Sequence, residues 1–172
     1  MTLGNVWGQV DCHPQIFPEA LTSTHRRRTQ KGITMGQGRV ILADKHSNVL
    51  GGIRRLIEAE VETVLMVTDE ISLRHALENH NPDVVVADLS LPVSTKTNIA
   101  EELKKNFPKI KVIILSNYDD RSVVDDVMAS GIEGFVLKRR AVIDLIPAIR
   151  DVLRGLKYIS PDTFETMDNE SR

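Results

Sequence analysis

The chain has 172 residues, 41% hydrophobic and 27% charged, with a formal net charge of −2. This is the mix of a globular protein of one domain with spare length, or of two very small domains, and it excludes disordered, collagen-like and disulfide-stapled chains. Aromatics at 4% leave no broad stacking surface for single-stranded nucleic acid, the single cysteine (Cys12) rules out an internal disulfide or a paired-cysteine zinc site, and no apolar run reaches membrane-spanning length.

Residues 1–38 carry four basic and two acidic side chains, and their apolar residues follow neither a helical nor a strand period. They predict a disordered N-terminal arm without a secretory signal. His25-Arg26-Arg27-Arg28 reads as a solvated part of that arm, with a basic patch as the alternative; a natural start at Met35 is a third reading. From Arg39 the pattern changes. Val40-Ile41-Leu42-Ala43 is a first apolar run, ending at Asp44. Ser47 is expected to cap a helix with a stripe of Val49, Leu50, Ile53, Leu56 and Ile57, which also contains Gly51-Gly52. Val64–Val67 is a second run. Leu73, Ala76 and Leu77 mark a helix that stops at Asn81-Pro82. Val84–Ala87 is a third run, ending at Asp88. Ile99, Leu103 and Phe107 mark a helix stopped by Pro108. Val112–Leu115 is a fourth run, ending at Ser116. Val123, Val124, Val127 and Met128 mark a helix closed by Gly131. Phe135-Val136-Leu137 is a fifth run, ending at Lys138. Ile143, Ile146, Ile149, Val152 and Leu153 mark the last helix. Residues 161–172 form an acidic tail with one basic and four acidic residues.

Five continuous apolar runs alternating with helices predict a parallel sheet buried on both faces. Right-handed crossovers make it a flavodoxin-like doubly wound (βα)5 α/β domain over 39–160, of strand order 2-1-3-4-5. Ligands of such sheets bind outside the carboxyl ends of the strands. Asp44 and Lys45, Asp88, Ser116 and Lys138 stand there. Together they suit the acceptance of a phosphoryl group: a carboxylate at the central strand, a lysine to neutralise the phosphoryl oxygens, and a hydroxyl to hydrogen-bond them.

With these residues in view the chain resembles the receiver domain of two-component response regulators. Val40–Asp44, Val85–Pro92, Val112–Ser116 and Gly134–Lys138 carry the likeness, with spacings of 44, 28 and 22 residues between Asp44, Asp88, Ser116 and Lys138. Leu156–Pro161 looks like the subgroup that usually continues into a helix-turn-helix output domain. The resemblance implies that Asp88 accepts a phosphoryl group from a phosphohistidine. Lys138 would pair with the phosphoryl oxygens, Ser116 would swing to hydrogen-bond them, and Phe135 would follow as the switch aromatic. Asp44, Asp88 and the Ser90 backbone carbonyl would bind magnesium. The readout face would be the fourth helix, fifth strand and fifth helix.

The sequence departs from the family at Lys45, where the usual second acidic residue gives magnesium a direct ligand. An ammonium cannot ligate a metal, so magnesium binding is in doubt. Asp44 and Asp88 against Lys45 and Lys138 leave the cluster at net zero. Two placements are open: Lys45 in solvent beside a weakened metal site, or Lys45 on Asp88 in place of the metal. Val93 and Lys96 replace the family's glycines after Asp88, which predicts an altered loop. Asp119 and Asp120 are expected to cap the fourth helix. His13, His25, His46, His75 and His80 show no metal-ligand spacing beyond a surface cluster of His75, Asn79 and His80. Gly36-Gln37-Gly38 lies at the wrong end of a strand for dinucleotide binding. Arg139-Arg140 is a solvated pair or part of a partner face.

The resulting expectation is a stand-alone, non-enzymatic, cytoplasmic receiver in a phosphorelay. Its partners would be a sensor histidine kinase or phosphotransfer protein and a downstream protein. A homodimer is open, and neither membrane contact nor direct DNA binding is expected. The alternative is a phosphorylation-independent pseudo-receiver in which Lys45 replaces the metal. A flavodoxin-like cofactor binder or small phosphotransfer enzyme is disfavoured, because the first strand is not followed by a Ser/Thr-rich phosphate loop.

Overall fold

The computed structural model describes residues 38–161 and 163. Nearly all of the expected N-terminal arm, including Cys12, His13, His25 and Met35, lies outside the described residues, as does most of the acidic tail.

The elements are β1 (Arg39–Ala43), α1 (Ser47–Glu58), β2 (Thr63–Val67), α2 (Glu70–His80), β3 (Val84–Asp88) and α3 (Ile99–Asn106). They continue with β4 (Lys111–Ser116), α4 (Arg121–Ala129), β5 (Gly134–Leu137), a 3-10 turn over Lys138–Arg140, α5 (Ala141–Leu153) and β6 (Tyr158–Ile159). All strand pairs are parallel, in the order β2-β1-β3-β4-β5-β6. The doubly wound order expected from the apolar runs is present. The difference is β6, two residues long, which adds to β5 with Phe135 opposite Ile159. No helix of the described residues is long and apolar enough to cross a membrane.

The central strands alternate between two cores. Ile41, Ala43, Val85, Ala87, Val112, Ile114, Phe135 and Leu137 face one way. There they meet Leu73, Ala76 and Leu77 of α2, Ile99, Ala100 and Leu103 of α3, and Val124 and Val127 of α4. Val40, Leu42, Val84, Val86, Ile113, Leu115 and Val136 face the other way, against Ile53 and Ile57 of α1 and Leu145, Ala148, Ile149, Val152 and Leu153 of α5. Both faces are dry, which is why the strands read as unbroken apolar runs. Each buried branched side chain contributes about 1.5–3 kcal/mol relative to exposure.

Local chemistry sets the helix ends. The Asp69 side chain accepts the Ser72 N–H at 2.8 Å, and Asn98 accepts the Glu101 N–H at 3.0 Å, so α2 and α3 have side-chain caps. Asn81, at φ 43°, ends α2 before Pro82. Asp120 stands at the expected N-cap of α4, while the caps expected of Ser47 and Asp119 are corrected. Helix α1 takes His46 as its N-cap, with Ser47 its first helical residue, and α4 takes Asp120, and neither residue makes a side-chain cap bond. Asp119 instead pairs with Arg139 at 3.0 Å. Two expected stripes are also corrected: Leu56 of α1 and Ile143 of α5 are exposed, while Asp144 is buried.

Candidate phosphoacceptor site

The register Ala43↔Ala87 brings the next residues, Asp44 and Asp88, side by side at the carboxyl ends of β1 and β3. Ser116, the last residue of β4, lies opposite Leu137, and Lys138 follows directly. The four expected residues therefore meet on one rim. Asp44 and Asp88 are each 1% exposed. The Lys138 Nζ lies 2.8 Å from Asp44 Oδ2 and 2.8 Å from Asp88 Oδ2, bridging the two carboxylates.

Asp88 accepts two further bonds from Ser90. The Ser90 N–H reaches Oδ1 at 3.0 Å and the hydroxyl reaches Oδ2 at 2.7 Å. Burial pushes the Asp88 carboxyl up, but the bonds from Lys138 and Ser90 outweigh it and hold the group below its ordinary value. Burial likewise pushes Lys138 down, and its two carboxylate partners more than reverse that and raise it. The pocket thus holds the Asp88 carboxylate ionised beside a fixed ammonium.

Lys45 is exposed, and among the described residues the ammonium that meets both carboxylates is Lys138. Of the two placements open in the sequence, the structure shows the one in which Lys45 does not reach Asp88. Ser116 is buried and turned into its own loop: its hydroxyl donates to the Tyr118 carbonyl at 3.0 Å and accepts the Tyr118 N–H at 2.9 Å. Phe135 is fully buried in the first core.

Two further contributors appear, His46, which the sequence sets aside, and Glu70, which it does not single out. His46 donates its backbone N–H to Asp44 Oδ1 at 2.8 Å and places Nδ1 3.3 Å from the same oxygen. Asp44, His46 and Asp88 offer one ligand atom each, all within 4.8 Å of one another. The Asp-Lys-His succession was visible, but which side chain turns inward depends on the loop. The second contributor is Glu70 of α2. Its Oε2 accepts the Ser94 N–H at 2.6 Å and the Ser94 hydroxyl at 2.8 Å, fixing the loop after Asp88. Val93 and Lys96 need no positive φ there; among the described non-glycine residues only Asn81 has one.

A magnesium ion would find the Asp44 and Asp88 carboxylates and the Ser90 carbonyl, hard oxygen donors of the right kind. The set fits in kind but is one carboxylate short. With Lys45 and Lys138 it carries no formal net charge.

The model of the response regulator receiver domain matches residues 40–150. This chain belongs to the response regulator receiver family. The receiver is 32% identical over 135 residues to the oxygen regulatory protein NreC of Staphylococcus carnosus, covering 77% of this chain and 62% of that protein. It is 30% identical to the transcriptional regulatory protein DegU of Brevibacillus brevis, covering 77% and 57%. The chain thus spans about three fifths of the length of these relatives. Among solved structures, the isolated receiver of RcsB from Salmonella enterica serovar Typhimurium, with the phosphomimetic BeF3−, superposes with a TM-score of 0.68 at 29% identity. That match covers 74% of this chain and 96% of that one. The likeness places the receiver in two-component signalling.

Proposed function

We propose that this receiver accepts a phosphoryl group on Asp88 from the phosphohistidine of a sensor kinase or phosphotransfer protein. The message then passes to a downstream protein through α4, β5 and α5. The observation that supports this best is the buried Asp88 carboxylate, held ionised on the rim 2.8 Å from Lys138.

In the transfer, an Asp88 carboxylate oxygen forms a bond to phosphorus as the phosphorus–nitrogen bond to the donor imidazole breaks. The electron pair returns to that nitrogen. Lys138 is already in place to offset the charge of the phosphoryl oxygens. Ser116 gives up its bonds to Tyr118 and turns its hydroxyl to the phosphoryl group, and Phe135 is the aromatic that would follow. When bound, magnesium supplies positive charge to the transferring oxygens, and Asp44, Asp88 and the Ser90 carbonyl would hold it. On the output side α5 leaves Val142 and Ile143 about two thirds exposed, apolar surface suited to a protein partner or a second copy of the chain.

The test is incubation with acetyl phosphate and magnesium, read by intact mass. A phosphoryl adduct that is absent from Asp88→Ala is the expected result. No adduct, even at high magnesium, sinks this reading in favour of the second one, a phosphorylation-independent interaction module. The bridging of both carboxylates by Lys138 favours that second reading, since the pocket is compensated without a metal.

A further inference from the structure

We propose that Asp144 and Ser160 form a buried latch that ties the chain beyond β6, at Ser160 and Thr163, to the backbone carrying Lys138. Its signalling role rests on the receiver reading above; the latch itself does not.

The latch begins with how β6 ends. The Ser160 N–H donates to the Phe135 carbonyl at 2.9 Å, the last ladder bond of the β5–β6 pair. The next donor on β5 is the Leu137 N–H, which in a continued parallel ladder would go to the Ser160 carbonyl. Pro161 follows and the chain turns away, so that carbonyl instead accepts from the Thr163 N–H at 3.2 Å and from the Thr163 hydroxyl. The Ser160 hydroxyl takes its place and accepts the Leu137 N–H at 3.2 Å. Its own proton goes to Asp144 Oδ2 at 2.7 Å. The ladder thus continues through a side chain, and the acceptor is oriented by a carboxylate.

Asp144 gathers the rest. It is 3% exposed, on the first turn of α5, and Ser160 and Thr163 are each 1% exposed. It accepts from Arg140 Nε at 2.8 Å and Nη2 at 3.2 Å, and Arg140 closes the 3-10 turn that Lys138 opens. Burial of Asp144 is outweighed by its Arg140 and Ser160 bonds, which hold the carboxyl below its ordinary value. Lys138 is therefore flanked by two anchored neighbours, Leu137 on Ser160 and Arg140 on Asp144. Its ammonium is committed to Asp44 and Asp88. A change in what Lys138 holds pulls on a peptide whose other fastening is Ser160. Asp144 and Ser160 are positioning residues, because they reach the acid pocket only through Lys138.

A double-mutant cycle read by amide hydrogen exchange tests this without any phosphoryl chemistry. Asp88→Ala removes one partner of Lys138. It is expected to speed exchange of the Ser160 and Thr163 amides by about fivefold or more, the usual lower size of a coupling between sites. In a Ser160→Ala background the same Asp88→Ala change is expected to add nothing at Thr163, and Ser160→Thr restores the response. Should Ser160→Ala lose the fold, Asp144→Asn runs the same cycle. An Asp88→Ala effect at Thr163 that is equal with and without the hydroxyl overturns the latch, as does no effect in either background. Failure of the acetyl phosphate labelling leaves this cycle intact, so the two readings fail separately.

Discussion

At the scale of single residues, the acid pocket turns on one substitution and one contact. Lys45 stands where the family places a metal-binding carboxylate, yet it is exposed, and among the described residues Lys138 is the one that bridges Asp44 and Asp88. Lys45→Asp removes one positive charge, adds one negative charge and supplies the missing ligand. Magnesium affinity, read by calorimetry, is expected to rise by no less than the roughly 10–100-fold that an outer-shell partner of a metal is worth. Labelling by acetyl phosphate should rise with it. Unchanged affinity would show that the pocket is limited by Lys138, not by the missing ligand. The sequence made Asp44, Asp88, Ser116 and Lys138 legible because each directly ends or follows an apolar strand. The contact of His46 with Asp44, the Tyr118 bonds of Ser116 and the Glu70 hold on Ser94 were not legible. Those depend on loop conformation, which no periodicity encodes.

At the scale of elements, the strands and helices were legible where the apolar period is strong, and the errors lie where it is weak or ambiguous. Residues 156–160 hold no apolar run long enough to announce β6, which exists because the edge of β5 is there to receive it. Ile143 read as part of the α5 stripe but is exposed, and a polar residue, Asp144, takes the inward position. An inward carboxylate is tolerable only with partners, and those come from Arg140 and Ser160. The contact between β4 and β5 makes its own demand. A Cβ built on Gly134 would lie 2.8 Å from Ile113 Cγ1, in a residue that is fully buried and cannot withdraw. Gly134→Ala is expected to cost about 1–3 kcal/mol, the range of core overpacking, as measured by urea unfolding. An unchanged midpoint would mean that β5 can shift away from β4.

For the whole molecule, the buried charges set a pH window. Asp88 and Asp144 titrate below their ordinary values, so the stability they contribute is full above about pH 4 and is lost as pH falls through their folded values. Lys138 and Tyr158 titrate above theirs. Their contribution is full below about pH 10 and is lost as pH rises through the folded values. Unfolding free energy against pH should therefore be flat through neutrality and fall at both ends. In Asp88→Asn the acid limb should be shallower. If the acid limb kept its slope, Asp88 would be no part of its cause.

The bridging of Asp44 and Asp88 by Lys138 has a consequence for the order of assembly. Lys138 lies 94 residues after Asp44. During synthesis β1, β2 and β3 emerge together and can pair, which buries two adjacent carboxylates before their counter-ion exists. Burying two carboxylates without a counter-ion is costly. The turn after β5 brings the Lys138 ammonium to both carboxylates, so a residue late in the chain closes the electrostatics of the first strand.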